Sequence, residues 1–512
     1  WVEGNPYENA GNIWDTVKKT YTNNMKLSSN AANGSSGAIG ISYGLRLSGS
    51  LTDVNFVNNN SITGEISGGG EGYGIYNSAK IGNIANTGVI SGTGANGGSI
   101  GIGIYNKATI KDITNTGEIS GIGTNSGTGN GFGIYNDSDD KEMGAITNTG
   151  IISGTGNSTN NAGAGFAIHN KSGKIEAITN AGLISGTGIG FGAGFNGFGY
   201  GIYNTDTIGD IANTGEISGT GSSSSGYGYG YGIFNNAGTM KNVTNIGEIS
   251  GIGSSSSDDG TGYGINNSSS ATMGAIENIG LISGTGKSEG SGAGYGIYNE
   301  SEIKNITNVG LISGYGKGSD RSSPGKGYGI YNKSGTMGDI TNIGIISGYG
   351  KGSDSGSSGY GYGINNESGT MGAVTNTGVI SGYGDTPGSS GSGINNNSDK
   401  MGDITNIGVI SGYGINGDWL SRNYDYGINN KSGTIGAITN TGVISGSITS
   451  GAYGYDYGIN NESGTIGAIT NTGVIYGKDS AIKNDSGTIG TVNNYGILAT
   501  QGSSIIEGTI GT

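Results

Sequence analysis

The chain has no cysteine, which excludes disulfides and thiolate metal sites. Cysteine-free chains occur in either redox compartment, and many exported bacterial proteins are poor in it. A single histidine, His169, leaves imidazole chemistry without a partner. Positive charge is also scarce. Lys+Arg number 23 against 37 Asp+Glu, for a net charge of −14. That excludes a phosphate-tracking nucleic-acid binder, which needs a basic face, and it disfavours attachment to anionic lipid. No apolar run approaches the ~20 residues of a membrane helix, so no transmembrane segment is expected. Only 3 residues are proline, and charged residues make up 12%, about half the ordinary share.

Glycine fills the space these absences leave, with 115 of 512 residues. Composition alone would describe a low-complexity chain. The order of the residues says otherwise, because internal repeats dominate. The segment from Gly329, "GIYNKSGTMGDITNIGIISGYG", returns as "GINNESGTMGAVTNTGVISGYG" from Gly363 and "GINNKSGTIGAITNTGVISGS" from Gly427. Fourteen clear copies begin at Ile75 and recur every 29 to 34 residues, with a last step of 23 from Ile459 to Ile482. A degenerate earlier copy surrounds Ile41 and Gly64–Gly68.

Within a copy, an Ile or Met stands three residues before a central Ile or Val, as in Ile81/Ile84 and Met401/Ile404. Asn follows the central residue by two, Gly by four and another apolar residue by six. Such period-two order is that of a strand with one buried face. Glycine density and β-branched residues exclude helix. A unit of about three short strands cannot bury its apolar face alone, whereas stacked copies make a continuous core. The fold class expected is therefore all-β, a single-stranded right-handed parallel β-helix of about 14–15 coils. Because 23 residues close the last coil, the longer copies carry an insertion at one corner.

Two inward asparagine columns are expected to stack as amide ladders. One runs Asn77, Asn106, Asn136 and on through Asn332, and the other Asn86, Asn115, Asn148 and on through Asn342. The "Asn-x-Ser" matches at Asn170, Asn332, Asn366, Asn430 and Asn461 fall in the first ladder, so they read as turn chemistry rather than glycan acceptors. Aromatics also form columns. Tyr73, Phe132, Phe166, Tyr200 and their successors share the parity of the first Ile and read as a stack at a coil corner. Tyr76, Tyr105, Tyr135, Tyr203, Tyr298 and Tyr331 have outward parity, giving a stripe suited to cross-coil stacking or to binding and assembly. Later copies replace that stripe with Asn365, Asn395, Asn429 and Asn460.

No nucleophile–base pair, zinc spacing or Walker loop occurs, and no enzyme is expected. Cofactors are not implied. The acidic clusters at Asp137–Asp140 and Asp258–Asp259 would suit Ca²⁺, but the calcium-binding nonapeptide of some β-helices is missing and solvated loop is the better reading. Glu118, Glu216 and Glu248 lie on the outward parity of separate coils, which disfavours a polysaccharide-cleaving site. The outward Thr positions are too irregular for an ice-binding array.

Three regions are expected. Residues 1–36 lack the repeat, and Ile13, Trp14, Val17, Tyr21 and Met25 fall at helical spacing, so a short helical cap is expected there. Residues 37–498 carry the β-helix repeats. Residues 499–512, ending "SSIIEGTIGT", form a strand-like tail. The start at Trp1 suggests a processed or trimmed N-terminus.

The "ITNTGVISG" repeat over roughly residues 37–500 resembles the passenger regions of bacterial autotransporters and related surface β-helix proteins. The resemblance implies an exported, surface-displayed right-handed β-helix of adhesive or structural use. The family's signal peptide and C-terminal membrane β-barrel are not expected within these residues, and no functional residue carries over. The function expected is a non-enzymatic extracellular structural protein at the cell surface. It would self-assemble head to tail into a fibre or surface layer, with Trp14, Ile505 and Ile506 as assembly candidates. The alternative is an adhesin binding glycan or host protein through its Gly/Ser/Tyr-rich loops.

Overall fold

A computed structural model describes residues 13–31, 40–49, 51–67, 69–95, 99–125, 127–319, 323–353, 357–397, 399–415, 423–448, 454–502 and 504–509. The chain is a right-handed-type parallel β-solenoid of about 13 turns, close to the 14–15 coils of the repeat count. It divides into two compact units, Trp1–Gly253 and Ser254–Thr512. No helix among the described residues is long and apolar enough to cross a membrane.

One turn of the second unit illustrates the rest. Strand Gly292–Asn299 is followed by Glu302–Ile303, Ile306–Asn308 and Leu311–Lys317. Each pairs in parallel with its counterpart one repeat on, at fixed register. Ile297 lies beside Ile330, Ile306 beside Ile340 and Ile312 beside Ile346. Four side chains per turn therefore make the core. In this turn they are Ile297, Ile303, Ile306 and Ile312, all wholly buried, and the first unit repeats the set with Ile104, Ile110, Ile113 and Ile119.

The asparagines complete the interior. In the first unit Asn77 donates through Nδ2 to Asn106 Oδ1 at 2.8 Å, Asn106 to Asn136 and Asn136 to Asn170 at the same distance. The second ladder runs Asn86 to Asn115 at 2.7 Å and Asn115 to Asn148 at 2.8 Å. In the second unit Asn299 donates to Asn332 at 2.9 Å and Asn308 to Asn342 at 2.8 Å. Each amide also reaches the backbone, as Asn308 does at Gly310 O and Ile345 O. Fully buried amides thus keep their partners, which removes the desolvation penalty of burying them. The Asn-x-Ser asparagines have their amides in this ladder.

Among the described residues, the corner insertion is built from strands that form an arm. Strands such as Leu311–Lys317 and Gly325–Asn332 run out and back, with glycine at the facing positions. A Cβ on Gly314 would stand 2.0 Å from Tyr328 O, and one on Gly186 would stand 1.9 Å from Tyr200 O. The two layers touch backbone to backbone, well inside the ~10 Å of ordinary sheet packing. Much of the glycine content is explained by this contact.

The arm also changes the parity of the first aromatic column. Tyr73 does not share the inward face of Ile75. Its ring meets that of Tyr76 edge-on at 5.3 Å, and Gly72 is the residue facing the opposite layer. Gly74, packed against Ile90, turns the chain between them and shifts the alternation by one residue.

The N-terminal segment differs from its expected helix. Ile13–Asp15 and Thr20–Asn23 form an antiparallel pair, and Thr20–Asn23 pairs in parallel with Asn55–Asn58. The cause lies in Tyr21-Thr22-Asn23, which is a diverged "Ile-Thr-Asn" rung. Asn23 donates to Asn58 Oδ1 at 2.8 Å, and Tyr21 packs near Phe56. Between the strands, Asp15 Oδ1 accepts from the Val17 and Lys18 amides, and Lys19 takes a φ of 46°. Tertiary pairing overrides the helical spacing. Likewise the degenerate copy centres on Leu45, which pairs with Ile75, whereas Ile41 pairs with Glu71 and is exposed. In the tail, Ile506–Gly508 pairs in parallel with Ser480–Asn484, and Ile505 and Ile506 are exposed. Trp14 sits opposite Tyr21. Ile510 lies outside the described residues.

Candidate functional site

The chemistry of this chain lies on its aromatic face. Each turn offers three outward positions near the arm, two and four residues before the first Ile and one after it. In the first unit these rings interdigitate. Phe132, Phe166, Tyr200 and Tyr231 stack at 4.7–4.9 Å. Tyr76, Tyr135 and Tyr203 lie half-buried against that stack, and Tyr105 is buried. Ile102 stands where the aromatic is missing and fills the gap, 3% exposed. At these positions the aromatic face of the first unit is therefore closely packed.

His169 belongs to this packing. Its ring lies 5.0 Å from Phe166 and 4.9 Å from Tyr135, and Tyr203 meets it edge-on at 4.7 Å. Burial, reinforced by the Lys171 ammonium and opposed by Asp137, lowers its pKa to about 3. Asp137 itself accepts from Tyr105 and pairs with Lys171 at 3.2 Å. Among the described residues no three His, Cys, Asp or Glu side chains group as a metal site.

The second unit opens where the first is closely packed. Tyr298 and Tyr331 are buried in the outward column, but the next members are Asn365, Asn395, Asn429 and Asn460. These shorter side chains form a third amide ladder. Asn395 donates to Asn365 Oδ1 at 2.5 Å, Asn429 to Asn395 at 2.8 Å and Asn460 to Asn429 at 2.8 Å. Its donors run toward lower residue numbers, opposite to the interior ladders. Above it an open groove of about 810 Å³ runs along the unit, within the ~300–1,000 Å³ of ordinary ligand sites.

Tyrosines wall the groove. Tyr362, Tyr426 and Tyr457 line its inner side, and Tyr360, Tyr424 and Tyr455 its outer side. Burial raises the Tyr362 and Tyr457 hydroxyl pKa values to about 12, so both stay protonated as hydrogen-bond donors at neutral pH. The rim carries Glu367, Glu462 and Asp485 with Lys431 and Lys483. Lys483 pairs with Asp485 at 3.1 Å, and half-burial holds the Glu462 carboxyl above its ordinary range. Planar rings, amides and hydroxyls with few net charges give the groove stacking faces together with hydrogen-bond donors and acceptors.

Sequence reasoning put the Asn365–Asn460 column on the outward parity but gave it no role; its members line the groove, with Asn365, Asn429 and Asn460 at 6%, 6% and 2% exposure. It missed the outer tyrosines and a further stack on the opposite layer of the arm, Tyr315–Tyr349–Tyr383–Tyr413, at 5.0–5.2 Å. The recurring "ISGYG" was the available signal. It also passed over Asp425 and Asp456, register neighbours at a position that is glycine in the preceding turns. Both are 0% exposed. Burial, then the charge of Asp456, push the Asp425 carboxyl well above the usual range, although Gly391 N–H donates to Oδ1 at 2.7 Å. Glu118, Glu216 and Glu248 stay on separate turns of the first unit, and none of them lines this groove.

Fold and site together define a parallel β-solenoid with paired asparagine ladders and an aromatic face. Comparison with protein-family models, curated proteins and solved structures gives no match.

Proposed function

We propose that this chain is a non-enzymatic, surface-displayed β-solenoid that binds carbohydrate in the groove of its second unit. One observation carries the reading: exposed tyrosine rings stand over a ladder of side-chain amides. Sugar C–H faces pack on such rings, and sugar hydroxyls exchange hydrogen bonds with amides and phenols. Tyr424 and Tyr455 are 42% and 39% exposed, unlike their counterparts deeper in the stack. The extracellular location and the autotransporter-type kinship belong to the same proposal and rest on repeat style.

The test is a glycan array probed with the full chain, followed by calorimetry on Tyr424→Ala and Tyr455→Ala. We expect saturable binding that each variant weakens about 10-fold, corresponding to ~1.4 kcal/mol. Absence of binding to any glycan rejects the reading. New reducing ends in the bound glycan would reject its non-enzymatic part.

A second reading, a self-assembling fibre or surface layer, is favoured by a different feature. Ile279, Val309 and Ile343 follow one another on successive turns at 44%, 44% and 54% exposure. Such an aliphatic ridge, repeating at the turn spacing, matches the same ridge on a second copy. Sedimentation of the chain with all three replaced by serine tests it. Self-association that survives the change places assembly elsewhere.

A further inference from the structure

Among the described residues, the aromatic wall of the second unit is interrupted once before it ends at Ser480, the register partner of Tyr457. Tyr263, Tyr295, Tyr328 and Tyr362 stack at 5.0, 5.0 and 5.1 Å with their planes within 9°. The next register partner of Tyr362 is Ser392, and the partner after that is Tyr426. Stacking resumes from Tyr426 to Tyr457 at 6.0 Å. The outer column breaks at the same turn, where Ser390 pairs with Tyr360. Its hydroxyl accepts from the Tyr424 amide at 3.1 Å, and Tyr424 stacks on Tyr455 at 5.8 Å. Both serines thus remove one ring each from two adjacent columns.

The size of this notch follows from the register. Two strand steps of ~4.8 Å separate Tyr362 from Tyr426 by about 9.6 Å. That is room for one ring, at about the stacking distance from each jaw. Elsewhere the same omission is repaired: Ile102 occupies it in the first unit. Here the polar lining is Ser390 and Asn395, whose amide is held between Asn365 and Asn429, and Ser392 is 3% exposed. A saturated ring with apolar faces and hydroxyl edges suits two phenol jaws and an amide floor. The rim adds a charge criterion. Three carboxylates, Glu367, Glu462 and Asp485, outnumber Lys431 and Lys483, and the chain carries −14 overall. An anionic sugar would be repelled.

We infer that the serine notch between Tyr360/Tyr362 and Tyr424/Tyr426 clamps one hexopyranose ring of a neutral glycan. The inference rests on the carbohydrate reading of the groove and narrows it to one subsite and one ligand class. Ser392→Tyr tests it directly, since the variant completes the stack. It should melt at or above the wild-type temperature and lose at least 10-fold in affinity for the neutral glycan that scores highest on the array. Tyr426→Leu, which removes one jaw and keeps an apolar side chain, should lose a similar factor and serves if Ser392→Tyr does not fold. If wild type binds neutral glycan and both variants bind it undiminished, the clamp is wrong while the groove reading stands. Wild-type preference for sialylated or uronate glycans overturns the neutral assignment. Binding of no glycan removes both readings. Self-association that Ser392→Tyr abolishes would assign the notch to a ring from a second copy instead.

Discussion

At the residue scale, His169 shows what the aromatic packing costs when one member is titratable. In the fold its imidazole is neutral, because burial under Phe132, Phe166 and Tyr203 holds its pKa at about 3. Nδ1 is buried without a hydrogen-bond partner. Unfolded, the group titrates near 6.5. The folded value is depressed, so the unfolded chain binds more protons between these limits. The neutral ring's contribution is complete above pH 6.5 and is lost as pH falls toward 3, at about 1.4 kcal/mol per pH unit. His169→Tyr restores the residue of the neighbouring turns and removes this slope. Denaturant unfolding of the first unit at pH 7 and pH 4.5 should show a smaller acid loss in the variant. Equal losses would mean that His169 is protonated in the fold.

At the element scale, the arm is governed by steric exclusion rather than by glycine flexibility. Gly314→Ala drives a Cβ into Tyr328 O, and backbone on both layers must move. Overpacking of that kind costs about 1–3 kcal/mol. Gly467 lies exposed on a turn strand, and the nearest atom to its Cβ would be Gly436 O at 3.2 Å. We expect Gly314→Ala to lower stability clearly more than Gly467→Ala in the same chemical denaturation series. A reversed order would mean that the layers of the arm are not in contact.

The same contrast explains what the sequence discloses. Columns with a fixed offset, such as Ile297/Ile330 and Asn299/Asn332, are readable because each inward side chain repeats its own environment. The arm was not readable as structure, since glycine facing glycine leaves no side-chain pattern and looks like a loop. Tyr21-Thr22-Asn23 was misread because one aromatic replaces the Ile of the rung while neighbouring residues happen to fall at helical spacing. The groove was half legible. Its asparagines and tyrosines lie in visible columns, but the notch is an omission, and Ser392 gains meaning only from Tyr362 and Tyr426 on either side.

At the scale of the whole molecule, stacked turns make stability a nearest-neighbour quantity. Each turn of the second unit contributes only four core side chains, so a defect in one weakens the contacts above and below it. Ile340 is wholly buried, with Ile306 and Val374 as register partners. Ile340→Asp forfeits roughly 1.5–3 kcal/mol of apolar burial. It also places a carboxylate among aliphatic side chains, which costs several kcal/mol more unless the group takes up a proton. In a globular core that sum would unfold the entire domain. In a solenoid the opening should be centred on the substituted turn. Hydrogen exchange of the variant should lose protection first at Ile306–Asn308 and Val374–Asn376, and then progressively in turns farther along the second unit. The Asn308–Asn342–Asn376 stretch of the ladder should open with them, because its amides hydrogen-bond only across adjacent turns and to nearby backbone. Uniform loss across the second unit would show that its turns unfold as one block. Unchanged protection at these two strands would show that residue 340 does not face the core.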